Sequence, residues 1–232
     1  KYETDEITTG IDVSEFQGNI DWKAVADSGI DFAMIRVGYR GMKNGEIKED
    51  ACAKYNLQEA SKNGLKIGAY FFSTAVTEEE AKEEAEWTKN LLSGYPVTYP
   101  VAYNCEGFLA PSSRQFGLSV EERTKLADAF LKSIEEGSYT GMFYAAKNEL
   151  DDNNLWNADD LSLNYRIWVA QYSDQTWPEK TKSDYTGDHL MWQYTNQGKL
   201  DGIKGAVDFN VAYFGYSPVS YTHLRAHETK AN

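Results

Sequence analysis

Carboxylates are the groups through which this sequence can do chemistry. Asp12 stands in a short apolar run, Ile11-Asp-Val-Ser14. Glu106 closes another, in Tyr99-Pro-Val-Ala-Tyr-Asn-Cys-Glu-Gly-Phe108, and Asp208 lies in Gly205-Ala-Val-Asp-Phe-Asn210. Asn104 precedes Glu106 by two residues. On a strand these two share a face, while Tyr103 and Cys105 point to the other. Histidine is too scarce for a Ser-His-Asp triad or a multi-histidine metal centre. Of the three, His223 and His227 fall in the last ten residues, leaving His189. A converging acid cluster without histidine suits glycoside hydrolysis. One carboxylic acid protonates the leaving oxygen, and a second acidic group stabilises the positive charge at the sugar carbon or prepares the attacking group. Neighbouring acids and partial burial are expected to keep Glu106 protonated for the first role. Aspartates at strand ends also cap loops and helices, and spacing alone does not separate the two readings.

The elements that must position these residues alternate. Short apolar strands are read at Ile11–Ser14, Phe32–Val37, Lys66–Phe72, Val101–Cys105 and Gly141–Ala145. Between them come amphipathic segments: Asp21–Ser28, Glu49–Asn63, a capping-box start at Thr77–Glu80, a second at Ser119–Glu122, and a weak helical turn over Asn148–Leu155. Tyr165–Ala170, Leu190–Tyr194 and Ala206–Phe209 then read as three strands without convincing helices between them. Strand–helix alternation favours a parallel sheet, and eight strands suit closure. The fold class is therefore α/β, an irregular barrel with functional groups at the carboxyl ends of its strands. In a closed barrel the first and last strands are neighbours, so Asp12 and Asp208 could meet. An open doubly wound sheet is the alternative, but no Gly-rich phosphate loop follows the first strand.

Composition excludes several functions. The 232 residues hold 23 Lys+Arg against 36 Asp+Glu, a net charge of −13, which argues against a nucleic-acid partner. The apolar runs are too short for a spanning helix, so no membrane insertion is expected. Cys52 and Cys105 without a CxxC exclude a disulfide scaffold and a thiolate zinc site. No metal or cofactor is expected. Residues 1–9 are polar, lack the apolar core of a secretory signal and are expected to be weakly ordered. Residues 217–232 differ in character from the body and resemble translated vector or adapter sequence. A single domain is expected over 10–216.

Five ordered segments resemble glycoside hydrolase family 25, the lysozyme-type muramidases. They are Gly10-Ile-Asp-Val-Ser-Glu-Phe-Gln-Gly-Asn-Ile-Asp-Trp22, Phe32–Gly38 with Ile67–Phe72, Pro100–Glu106, Met191-Trp-Gln-Tyr194 and Val207-Asp-Phe-Asn210. The resemblance runs from about residue 10 to 216. It implies a flattened TIM-like barrel of five β/α units followed by three strands. It also implies cleavage between N-acetylmuramic acid and N-acetylglucosamine in peptidoglycan, by a monomer acting outside the cell or at the wall. Glu106 would be the general acid, Asp12 and Asp208 supporting carboxylates, and Tyr70, Tyr144, Trp192 and Tyr194 groove aromatics. Tyr103 is expected to pack away from the groove, Cys105 likewise, and His189 to lie at the surface.

Asn104 departs from the family pattern, which has an aspartate there. Its amide cannot carry negative charge, but its carbonyl oxygen could accept the substrate acetamido N–H. In one reading of the family mechanism the acetamido oxygen is itself the nucleophile. Phe71 is a second departure, where the family often has histidine, and would remove a polar groove contact. Three functions stay open: a muramidase, a glycan-binding module weakened by Asn104, and a hydrolase of another N-acetylhexosamine polymer such as chitin.

Overall fold

The computed structural model describes residues 2–217. Its strands and helices run β1 (Tyr2–Thr4), β2 (Thr8–Val13), α1 (Trp22–Asp27), β3 (Phe32–Arg40), β4 (Ile47–Glu49), α2 (Ala53–Lys62), β5 (Lys66–Phe72), α3 (Glu78–Leu92), β6 (Val101–Asn104), α4 (Val120–Glu136), β7 (Gly141–Ala146), α5 (Lys147–Leu150), α6 (Ala158–Asn164), β8 (Arg166–Ala170), β9 (Met191–Gly198), β10 (Val207–Ala212) and β11 (Gly215–Ser217). Eight strands close a barrel in the order β2-β10-β9-β8-β7-β6-β5-β3, and β3 returns to β2. The expected eight strands and their closure are both present.

Strand parity separates two cores. Phe32 and Met34 of β3 point into the barrel with Tyr99, Ala102, Met142, Trp168 and Met191. Ala33 and Ile35 point outward to the helices, with Val101, Tyr103 and Phe143. Both faces of these strands are buried, so they read as nearly continuous apolar runs. Three of the helices, α1, α3 and α4, begin where side chains satisfy their first N–H groups. Asp21 accepts from Lys23 and Ala24, Thr77 from Glu80, and Ser119 with Glu122 forms a capping box.

Three expectations change. The helix read from Glu49 begins at Ala53, because residues 47–49 extend the β3 edge as β4. A helix, α6, precedes β8. Of the segment 1–9 expected to be weakly ordered, the described residues 2–9 are tied down, since β1 pairs antiparallel with β11, Glu3 binds Arg166, and β2 starts at Thr8. The non-native tail read over 217–232 lies, from residue 218 on, outside the described residues.

Strand direction matters most at β10. It runs antiparallel to both β2 and β9, whereas all other pairs of the barrel ring are parallel. Asp208 therefore stands near the start of β10, not at a carboxyl end. That start lies on the same rim as the carboxyl end of β2.

A buried ion pair holds the neighbouring rim. Asp50, fully buried, accepts from Arg36 Nε at 2.8 Å and from the Glu15 and Cys52 backbone N–H groups. Asp50→Ala would leave Arg36 to Glu15 alone and unpair the Glu15 and Cys52 N–H groups, and chemical denaturation is expected to show a loss of roughly 1–3 kcal/mol.

Candidate active site

A cleft of about 580 Å³ opens at the rim where β2, β5, β6 and β7 end and β10 begins. Asp12 and Asp208 are direct partners across the β2–β10 ladder, so the pair expected from barrel closure is formed. Asp12 is 6 % exposed. Its Oδ2 accepts from Gln193 Nε2 and Asn210 Nδ2, both at 2.8 Å. Asn210 is itself fixed by Trp168, whose indole N–H donates to Asn210 Oδ1 at 2.8 Å. Burial and then the Asp208 charge push the Asp12 carboxyl well above the ordinary aspartate range, and the Asn210 and Gln193 N–H groups oppose them. Asp208 is also raised, chiefly by burial. The two carboxyls therefore resist carrying two charges at once and titrate as a pair above the ordinary aspartate range.

Glu106 lies two residues beyond β6, on the cleft wall, and its side chain is solvent-accessible. Gly107, with φ of 71°, turns the chain immediately after it in a conformation that suits glycine. Protein still crowds the carboxyl on several sides. Desolvation, then the charges of Glu149 and Asp208, push it above the ordinary glutamate range. An acid that is reachable and reluctant to ionise can deliver a proton.

Glu149 on α5 was not singled out from the sequence. It accepts from Trp156 Nε1 at 3.1 Å and is raised by burial. No local sequence signal marks it, because only the turn after β7 brings it towards Glu106.

Asn104 is buried, 8 % exposed, and lines the cleft beside Glu106. Its Oδ1 is enclosed and has no hydrogen-bond partner. The expected contact through that carbonyl oxygen is therefore not set up, and reaching it requires the amide to rotate.

Two expected aromatics are in place. Tyr70 and Tyr144 line the cleft, each edge-on to Trp168. Trp192 and Tyr194 do not. Trp192 is fully buried on the helix side, donating to the Gln171 carbonyl, and Tyr194 stacks on Phe209 beside it. Parity is the reason. Gln193, between them on β9, takes the cleft face. The same parity corrects Phe71, which packs against Trp87 and Phe130 while Phe72 lines the cleft. No polar groove contact is lost at position 71. Tyr103 packs on Phe130, Phe143 and Trp156, away from the cleft, and Cys105 Sγ meets Gln115 on the same side. His189 is half-buried among Tyr185, Tyr213 and the Gly187 carbonyl, a packed position in place of the expected surface one.

The sequence reading missed Gln193, Trp168, Tyr172 and Phe16. Parity along β8 and β9 points to the first two. Tyr172 follows β8 in a loop without a sequence signal. Phe16 is 79 % exposed on the rim, held out by the Ser14–Gln17 capping box around the turn Glu15–Gln17.

An eight-stranded α/β barrel with a carboxylate pair and a lone accessible acid on one rim is the architecture of a glycoside hydrolase. Residues 11–203 match the family described as Glycosyl hydrolases family 25, and the chain belongs to that family. The autolytic lysozyme of Clostridium acetobutylicum is 28 % identical over 202 residues, covering 87 % of this chain and 54 % of that protein. The uncharacterized protein YegX of Escherichia coli K12 is 30 % identical over 214 residues, covering 87 % and 68 %. Among solved structures, the modular autolysin LytC of Streptococcus pneumoniae superposes with a TM-score of 0.72 at 26 % identity, over 90 % of this chain and 47 % of that one. This chain thus spans about half the length of the autolytic lysozyme and of LytC.

The site geometry makes one expectation independent of turnover. Removing the Glu149 charge relieves the repulsion on Glu106. Carboxyl NMR of Glu149→Gln is expected to show Glu106 titrating at lower pH than in the parent, though still raised by desolvation.

Proposed function

We propose that this chain is a muramidase that hydrolyses the β-1,4 bond between N-acetylmuramic acid and N-acetylglucosamine in peptidoglycan, with Glu106 as general acid. The observation that supports it most is the Glu106 carboxyl itself, accessible from the cleft and held towards its protonated form on the same rim as Asp208. Glu106 gives its proton to the bridging oxygen as the bond from that oxygen to the muramic acid anomeric carbon breaks. The acetamido oxygen of the same sugar closes on that carbon. The Glu106 carboxylate then takes a proton from the water that opens the resulting ring. With Asn104 neutral, Asp208 supplies the negative charge opposite the developing cation. The protein works as a monomer outside the cell or at the wall.

Turbidity clearing of purified cell walls, with new reducing ends identified at muramic acid, tests this reading. Retention on walls without new ends would make the chain a binding module, and oligosaccharides released from chitin but not from walls would change the substrate. Glu106→Gln is expected to lower turnover by about 10²–10⁴-fold, and turnover equal to the parent would refute the assigned acid. Asn104→Asp is expected to preserve or raise turnover. Because position 104 encloses an oxygen without a donor, the same variant should lose roughly 1–3 kcal/mol of stability.

The pH dependence follows from the directions of the shifts. Turnover falls on the alkaline side as Glu106 loses its proton and on the acid side as Asp208 gains one. Both groups are raised, so both limbs should lie above ordinary carboxylate values. A net charge of −13 repels anionic wall polymers. Rates are therefore expected to improve with moderate salt, and equal rates across a salt series would contradict this.

A further inference from the structure

The carboxylate pair poses a problem that neither aspartate solves. Two acids face each other across one ladder, one of them buried, and like charges so placed repel. A single amide stands between them. Gln193 Nε2 lies 2.8 Å from Asp12 Oδ2 and 3.4 Å from Asp208 Oδ2, which directs one N–H towards each carboxylate. An amide can rotate end for end, and the reversed form would turn a carbonyl oxygen towards both acids. The acids themselves oppose this, because a carboxylate only accepts and so selects the N–H end of the amide. Two hydroxyls hold the far end. Tyr144 and Tyr172 donate to Gln193 Oε1 at 2.9 and 2.6 Å, from β7 and from the loop after β8, and keep the amide in place between the carboxylates.

We propose that Gln193 is the positioning residue of the Asp12–Asp208 pair, held at its far end by the Tyr144 and Tyr172 hydroxyls so that its two N–H groups keep the carboxylates in the arrangement used in hydrolysis. This rests on the muramidase reading for its catalytic consequence, but the positioning itself does not. Asn210 completes it from β10, so that Asp12 Oδ2 accepts twice and any proton on Asp12 must sit on Oδ1. Tyr172, 49 % exposed, places the outer of the two hydroxyls at the cleft surface. The other titratable or charged groups around the pair are Glu106 beyond β6, Tyr70 on β5, and Arg36 on β3 with its partners Asp50 and Glu15. Only Arg36 among them is cationic, and two carboxylates already engage it. The amide N–H groups are thus the donors left to the pair.

Gln193→Met is the discriminating variant. It keeps the length of the side chain and adds no charge, but removes the N–H donors. A residue that merely fills space would tolerate it. Carboxyl NMR of parent and variant should show the Asp12–Asp208 pair titrating at higher pH in the variant. On cell walls kcat should fall about tenfold or more with KM little changed, and the acid limb of the rate profile should move to higher pH. Tyr172→Phe removes one of the two outer contacts and should shift the same limb in the same direction by less, which keeps the test open if Gln193→Met fails to fold. Titration curves that superimpose on the parent in the folded variants would overturn the proposal. A parent that cleaves no wall polymer, with the titration still displaced in Gln193→Met, would remove the muramidase reading and leave the positioning role.

Discussion

Two carboxylates placed opposite one another on antiparallel strands are the constraint around which this molecule is arranged. The β2–β10 register sets Asp12 against Asp208, and like charges so placed, one of them buried, are unfavourable unless donors relieve them. The fold supplies the donors. Asn210 comes from the same strand as Asp208, Gln193 from β9, and Trp168 on β8 fixes Asn210 in turn. The closing strands lack the helices of the first part of the barrel, and what they bring is this polar network.

The consequence is a division of protonation states along one rim. The Asp12–Asp208 pair is pushed towards sharing a single charge, and Glu106 is held towards its acid form by desolvation and by its neighbours Glu149 and Asp208. Chemistry that needs an acid and a fixed negative charge at once is served by such a separation. Asn104 fits the same economy of charge. A further carboxylate at a position with an enclosed, unpartnered oxygen would add both repulsion and a desolvation cost.

Much of this was legible in the sequence. Apolar runs broken by capping residues located the eight strands and the four main helices, because local hydrogen bonding and amphipathic burial act over short stretches. The meeting of Asp12 and Asp208 followed from barrel closure. The aromatic assignments failed where residue type was weighed above strand parity. Trp192 and Tyr194 were read as groove residues for their rings, yet the glutamine between them holds the cleft face. Phe71 failed for the same reason, with Phe72 in the groove. The direction of β10 had no signature, since a strand reads alike in either sense. Glu149 and Tyr172 depend on how loops return to the rim, which a linear pattern does not encode.

Proton delivery depends on the side chain at position 106 facing the bond to be cut. A crystal structure of the Glu106→Gln variant with a peptidoglycan glycan fragment spanning the cleft would show this directly. The side-chain amide at 106 is expected within about 2.6–3.2 Å of the bridging oxygen, with the muramic acid ring on the Asp208 side. A fragment bound with its bridging oxygen out of reach of position 106 would contradict it.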